Sequence, residues 1–446
     1  MDELLKTLGE RFHRHASAGA EFILEGDRFS DISRKAAGII GATAGVEGSL
    51  CLCTEDKSLA AAALLASLSG GPQIVIPYAL SPRGIGETHD AEAFGALLSE
   101  APRELPPGVK LITPEDLKGP EARLEPSRDP DSPFIRLFTG GSTGAPRVWT
   151  KTPRNIMGEA LHLSEMFSIS PEDIILATVP PIHIYGLLFS VAVPLVSGAR
   201  VVAEICTFPQ EILTAVRRRS PTLLVAVPMH YRVLGGTDLP QGIFRLAFSS
   251  GGMLDEHDAV NFHRQTACRL VEVYGSTETG GIATRCRADG EEHWTPFESV
   301  QCMIAGERLS VRSEFISPGL ERDERGFYLT GDRVHSVEGG RFALLGRADG
   351  IAKVGGKRVD LAEIRQKLKA LPGVRDALVI NLPADKGREN EIAALVAGDT
   401  DETSIRKALS ESLEPYAVPR RIRIVDAIPA TRMGKHDRRS IEELLK

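Results

Sequence analysis

Cysteine is scarce in this chain, with six in 446 residues and none in a C-x-x-C pair. That excludes a disulfide scaffold. Positive charge is not in excess either: 53 Lys and Arg stand against 60 Asp and Glu, for a net charge of -7. No broad basic face for nucleic acid follows from such a balance. The 11 histidines show no H-E-x-x-H or comparable ligand spacing, so a structural metal has no support. Long apolar runs are missing as well. The longest apolar helix candidate, 59–68, is Ala-rich and too short to cross a bilayer. The start, Met1-Asp2-Glu3-Leu4-Leu5, is acidic where a secretion signal is basic. These absences predict a cytoplasmic protein with no membrane span and no nucleic-acid partner. What remains, 42% hydrophobic and 25% charged residues, is the composition of an ordinary globular protein, long enough for two or more domains.

Short Val/Ile/Leu-rich runs at 49–53, 73–77, 174–179, 199–203, 222–227, 245–249 and 269–274 alternate with stretches of helical periodicity. Strands apolar on both sides predict mostly parallel sheets covered by helices, an α/β fold. Cys51 and Cys53 share one face of such a strand and read as core. The run Arg217-Arg218-Arg219 reads as a solvated helix end. Polar, proline-containing 101–133 reads as a surface excursion. After 346 the pattern changes to helix 361–371, strands 374–380 and 391–396, helix 404–413 and strand 421–425, a small α+β unit. The predicted organisation is therefore a large N-terminal domain over 1–346, a hinge at 347–350 and a C-terminal domain over 351–446.

The most informative segment is Thr139-Gly140-Gly141-Ser142-Thr143-Gly144-Ala145-Pro146-Arg147, directly after an apolar stretch. A glycine-dense loop with hydroxyls and a cation at a strand end can wrap N–H and O–H donors around polyphosphate oxygens. It is not a Walker loop, because Ala145 stands where the second glycine belongs and no Lys-Ser/Thr follows. Nor is it a Gly-x-Gly-x-x-Gly dinucleotide turn.

Other segments also stop at strand ends. Val273-Tyr274-Gly275-Ser276-Thr277-Glu278 offers a ring for stacking on a base, hydroxyls, and one carboxylate suited to Mg2+. In Ser249-Ser250-Gly251-Gly252 missing side chains leave room for a flat ring against backbone. Asp332 closes Tyr328-Leu329-Thr330-Gly331-Asp332, and Arg347 follows in Gly346-Arg347-Ala348-Asp349. This Asp can accept from two ribose hydroxyls beside a charged donor. Lys435 ends the glycine turn Ala430-Thr431-Arg432-Met433-Gly434-Lys435. Each segment alone reads equally as a turn, a capped helix start, a hairpin ion pair or a surface lysine.

Taken together and in this order, they resemble the adenylate-forming ligase superfamily of acyl- and aryl-CoA synthetases, luciferase-like enzymes and peptide-synthetase adenylation domains. The resemblance implies a large N-terminal domain of stacked α/β subdomains and a small mobile α+β C-terminal domain that rotates about Asp349. It implies ATP-dependent activation of a small-molecule carboxylic acid to an acyl-adenylate, with pyrophosphate released. The acyl group then passes to a pantetheine thiol, of CoA or of an acyl carrier protein.

By position, Thr139, Gly140, Gly141, Ser142, Thr143, Gly144 and Arg147 would grip the ATP phosphates. Gly251, Gly252, Tyr274, Gly275 and Ser276 would frame the nucleotide. Thr277 would bind the α-phosphate, Glu278 would hold Mg2+, and Asp332 with Arg347 would take the ribose. Lys435 would bridge substrate carboxylate and α-phosphate. His183, in Pro180-Pro181-Ile182-His183-Ile184-Tyr185-Gly186, matches the family histidine beside the acyl pocket. Lys353, Gly355 and Gly356 would face the pantetheine arm after rotation.

Two loop positions depart from the family pattern: Arg147 replaces a lysine and Gly140 a serine. The region 183–189 lacks the aspartate that holds an amino-acid ammonium, which favours a fatty or aryl acid; Tyr185 and Phe189 suit such an acid or a core helix alike. Three other activities stay open to test: amino-acid-type adenylation, a non-catalytic acyl-adenylate or nucleotide-binding protein, and a phosphotransferase yielding ADP.

Overall fold

The structure is a computed structural model that describes residues 2–119, 123–139, 147–354, 357–382, 391–413, 415–431 and 436–445. The chain divides into two compact units. The first comprises Met1–Glu292, Phe297–Gln301 and Arg312–Glu321; the second comprises His293–Pro296, Cys302–Val311 and Arg322–Lys446.

Two sheets build the first unit. The strands of one are β1 (Ser49–Leu52), β2 (Ile74–Ile76), β3 (Phe94–Leu98), β4 (Lys110–Ile112), β5 (Ile135–Thr139) and β6 (Arg147–Lys151). Their order is β4-β3-β1-β2-β5-β6, parallel except for the last pair. The other sheet contains β7 (Ile174–Ala177), β8 (Arg200–Val201), β9 (Leu223–Ala226), β10 (Leu246–Ser249), β11 (Arg269–Ser276) and β12 (Gly280–Cys286). Here the order is β12-β11-β10-β9-β7-β8, again parallel except for the β11–β12 pair. Each sheet thus includes one antiparallel hairpin.

The expected parallel, doubly covered sheets are present, and β1, β9 and β10 are buried at every residue. Helix Lys57–Leu68 is buried on all sides, which its run of alanines and leucines allows. Helix Pro209–Arg219 ends on its three arginines, as its dipole favours. One expectation needs correction: 101–133 is not wholly a surface excursion. Its β4 extends the first sheet with Ile112 buried, and Arg128 Nε donates to Ser67 O at 2.7 Å.

In the second unit, strands Gln301–Ala305, Arg308–Arg312, Tyr328–Ser336 and Phe342–Arg347 form one sheet in chain order. Ile351–Val354 pairs with Lys357–Asp360 as a two-stranded ribbon. Val374–Leu382, Glu391–Gly398 and Arg421–Val425 form a third sheet, covered by Leu361–Lys369 and Glu402–Ser412 around Ile364, Leu368, Val396, Ile405 and Leu409. The unit begins upstream of the break expected at 347–350, because Tyr328–Ser336 and Phe342–Arg347 pair with each other and not with either parallel sheet. Among the described residues no helix is long and apolar enough to cross a membrane.

Candidate active site

The parallel register of β9, β10 and β11 aligns Ala226, Ser249 and Glu272; β9 and β10 end there, and β11 runs on in the same direction to Ser276. In open α/β sheets ligands gather at such carboxyl ends. Gly251 and Gly252 leave β10 there, exposed, with Gly251 at φ +84°, a conformation that disfavours a side chain. Ser250 Oγ anchors this turn by donating to Val273 O at 2.9 Å. Tyr274, Gly275 and Ser276 end β11, and half-buried Thr277 and Glu278 occupy the turn into β12. The hydroxyls of Ser276 and Thr279 lie 2.8 Å apart and close the turn. Gly275 is required by close approach, since a Cβ there would stand 2.3 Å from Gly280 O.

His183 lies beyond β7 on the same edge, half-buried at the start of helix Ile184–Leu187, and its carbonyl accepts from Leu187 N at 2.7 Å. Tyr185 and Phe189 pack inside the first unit. Tyr185 is buried and donates to Phe248 O and Ala226 O at 2.8 and 3.2 Å, while Phe189 packs on Phe248 with ring centroids 4.8 Å apart. Both are core.

Thr139 and Arg147 face each other across the β5–β6 hairpin and so bracket the glycine-rich loop. Trp149 Nε1 donates to Thr139 Oγ1 at 3.1 Å, and Arg147 is exposed. Gly140, Gly141, Ser142, Thr143 and Gly144 lie outside the described residues, as do Gly355, Gly356 and Lys435.

In the second unit Asp332 and Arg347 are register partners, with Arg347 Nη1 3.7 Å from Asp332 Oδ1. The backbone of Asp349 lies in the turn Ala348–Gly350, and that of Lys353 in strand Ile351–Val354.

Two residues escaped sequence reasoning. Lys151, at the end of β6, is buried and donates to Phe315 O at 3.0 Å and Glu278 O at 3.4 Å. Glu159, at the start of helix Glu159–Met166, is buried and accepts from Gly281 N at 2.8 Å. Burial lowers the Lys151 pKa against the pull of Glu159 and Glu278; burial raises that of Glu159 against the pull of Lys151. A charged residue between two threonines gives no sign in sequence of being internal.

Glycine- and hydroxyl-bearing turns at the carboxyl ends of parallel strands place backbone and side-chain donors where open α/β sheets receive ligands. Residues 54–316 match the AMP-binding enzyme family, and residues 363–435 match the AMP-binding enzyme C-terminal domain. The chain belongs to the AMP-binding enzyme family. It is 27% identical over 345 residues to a sulfoacetate–CoA ligase of Cupriavidus necator, spanning 70% of this chain and 67% of that one. It is 30% identical over 304 residues to a 4-coumarate–CoA ligase of Rhodobacter capsulatus, spanning 67% and 73%. The fold is shared with ATP-bound MatB from Rhodopseudomonas palustris: TM-score 0.84, 20% identity, 98% of both chains covered. By contrast, the chain spans only 14% of a dimodular nonribosomal peptide synthase of Bacillus subtilis.

Proposed function

We propose that this enzyme is an acid–thiol ligase that forms an acyl-adenylate from a fatty or aryl carboxylic acid and then transfers the acyl group to a pantetheine thiol, of CoA or of an acyl carrier protein. The observation that carries the reading is the Thr277–Glu278 turn at the carboxyl end of β11, tied through Lys151 to the hairpin that bears the phosphate loop. The similarity to CoA ligases supports CoA as acceptor. A cytoplasmic setting fits the six free cysteines, five of them buried.

Carboxylate and triphosphate are both anionic, so their approach needs opposing charge and fixed geometry. Thr277 offers a hydroxyl to the α-phosphate. Glu278 offers a carboxylate whose backbone is held by Ser317 N at 2.8 Å, a hard-oxygen donor suited to Mg2+ shared with phosphates. Mg2+, when bound, would supply charge neutralisation at the phosphate oxygens. Arg147 and the glycine-rich loop would receive the departing pyrophosphate, and Asp332 with Arg347 would hold the ribose. Lys435 would then neutralise the attacking carboxylate, and the change to thioester formation would turn about Asp349. His183 would border the acyl group.

The test is pyrophosphate exchange into ATP across a panel of fatty, aryl and amino acids, followed by thioester assays with CoA and with phosphopantetheinylated carrier protein. Exchange with a fatty or aryl acid is the expected result. Exchange confined to amino acids, or none with any acid, overturns it.

A further inference from the structure

The phosphate loop and the Thr277–Glu278 turn sit on hairpins of different sheets, so no strand ladder sets their separation. Two side chains from outside its sheet reach the Glu278 hairpin. From the end of β6, Lys151 donates to Glu278 O and Phe315 O; eight residues on, Glu159 receives the Gly281 amide at the start of β12. The fit is close: a Cβ on Gly280 would stand 2.6 Å from Glu159 Oε2. Both side chains are buried, with Lys151 1% and Glu159 3% exposed. Taking two opposite charges out of water is often no better for stability than an apolar pair of similar volume. Stability alone therefore gives weak reason for charge here, whereas directional bonds to the backbone of one turn specify its place.

We infer that Lys151 and Glu159 are positioning residues that hold the Glu278 turn against the β5–β6 hairpin and helix Glu159–Met166, so that Glu278 meets metal-bound triphosphate without rearrangement. They act through the backbone of the turn, as outer partners of a metal ligand do. This inference rests on the reading of Glu278 as the Mg2+ carboxylate.

The test is calorimetric titration of ATP into the full-length protein, once with Mg2+ and once with EDTA, which measures how far the metal strengthens nucleotide binding. In the double variant Lys151→Met/Glu159→Gln that enhancement falls about tenfold or more. Metal-free ATP affinity is retained, because both charges leave together and the Gly281 amide keeps an oxygen partner. Glu278→Gln is the reference. If Glu278→Gln loses the enhancement and the double variant keeps it, the positioning role is overturned while the reading of Glu278 stands. If Glu278→Gln keeps it, that reading fails and this inference with it. Equal loss of metal-free and metal-dependent affinity in the double variant shows a general structural role and also overturns the inference. Should the double variant not fold, Glu159→Gln alone is read in the same titration, where an unchanged enhancement is the overturning result.

Discussion

Asp332 and Arg347 stand opposite each other on neighbouring antiparallel strands, Nη1 3.7 Å from Oδ1. Arg347 is 54% exposed at its side chain, so the pair adds little to stability. The guanidinium lies over Gly331, where a Cβ would stand 2.6 Å from it. A pre-placed carboxylate beside a cation suits ribose hydroxyls. Asp332→Ala is expected to raise the KM for ATP about 10- to 100-fold, the worth of a charged hydrogen bond, and to erase discrimination against 2'-deoxy-ATP. Melting temperature should hold within about 2 °C. A lowered melting temperature with unchanged nucleotide discrimination would mark the pair as structural.

Lys435→Ala separates the two half-reactions. Pyrophosphate exchange should disappear, while thioester formation from a supplied acyl-adenylate persists within about threefold, because in the proposed mechanism the lysine serves only the approach of carboxylate to α-phosphate. Loss of both activities in a folded variant would count against the two-conformation scheme.

Tyr185 tests the assignment of the aromatic pair to the core. Its hydroxyl donates to two strand-end carbonyls, so Tyr185→Phe should lower stability by about 1–2 kcal/mol in denaturant unfolding. The KM for the acid should stay within about twofold. A changed acid preference with unaltered stability would place the ring in the acyl pocket instead.

Lys57 gives the fold a pH signature. Its ammonium donates to Val202 O and Glu204 O at 2.6 and 3.0 Å, and complete burial pushes its pKa down to about 8 from 10.5. Between those values the unfolded chain holds a proton that the folded chain has released, so stability rises with pH through that window. Below about 8 the full cost of the buried charge is present. Measured against Lys57→Met, the unfolding free energy should climb between pH 8 and 10.5, with a slope approaching about 1.4 kcal/mol per pH unit. A flat difference across that range rejects the assignment.

The parallel strands were legible because β9 and β10 are apolar on both faces and bounded by turn residues, a pattern that burial on two sides imposes. The segments at Gly251, Tyr274 and Asp332 stood out only together, through their order along the chain, because each alone reads equally as a turn or a hairpin ion pair. Lys151 and Glu159 were not. Each finds its partners far along the chain, at Phe315 and Gly281, so neither leaves a local periodic trace. β12 has no counterpart among the expected strands, since its opening glycines carry no side chains to mark one, although a Cβ on Gly275 would stand 2.3 Å from Gly280 O across the hairpin. For Tyr185 and Phe189 the sequence admitted both pocket and core, and the carbonyl partners of the Tyr185 hydroxyl decided for the core.

The central claim is that this chain spends ATP by attack of a carboxylate at the α-phosphate. Analysis of the nucleotide products after incubation with ATP, Mg2+, the best acid of the panel and its thiol acceptor, CoA or phosphopantetheinylated carrier protein, tests it most directly. AMP and pyrophosphate in equal amounts, dependent on the acid, are the predicted products; ADP and phosphate, or ATP left intact with every acid, would contradict it.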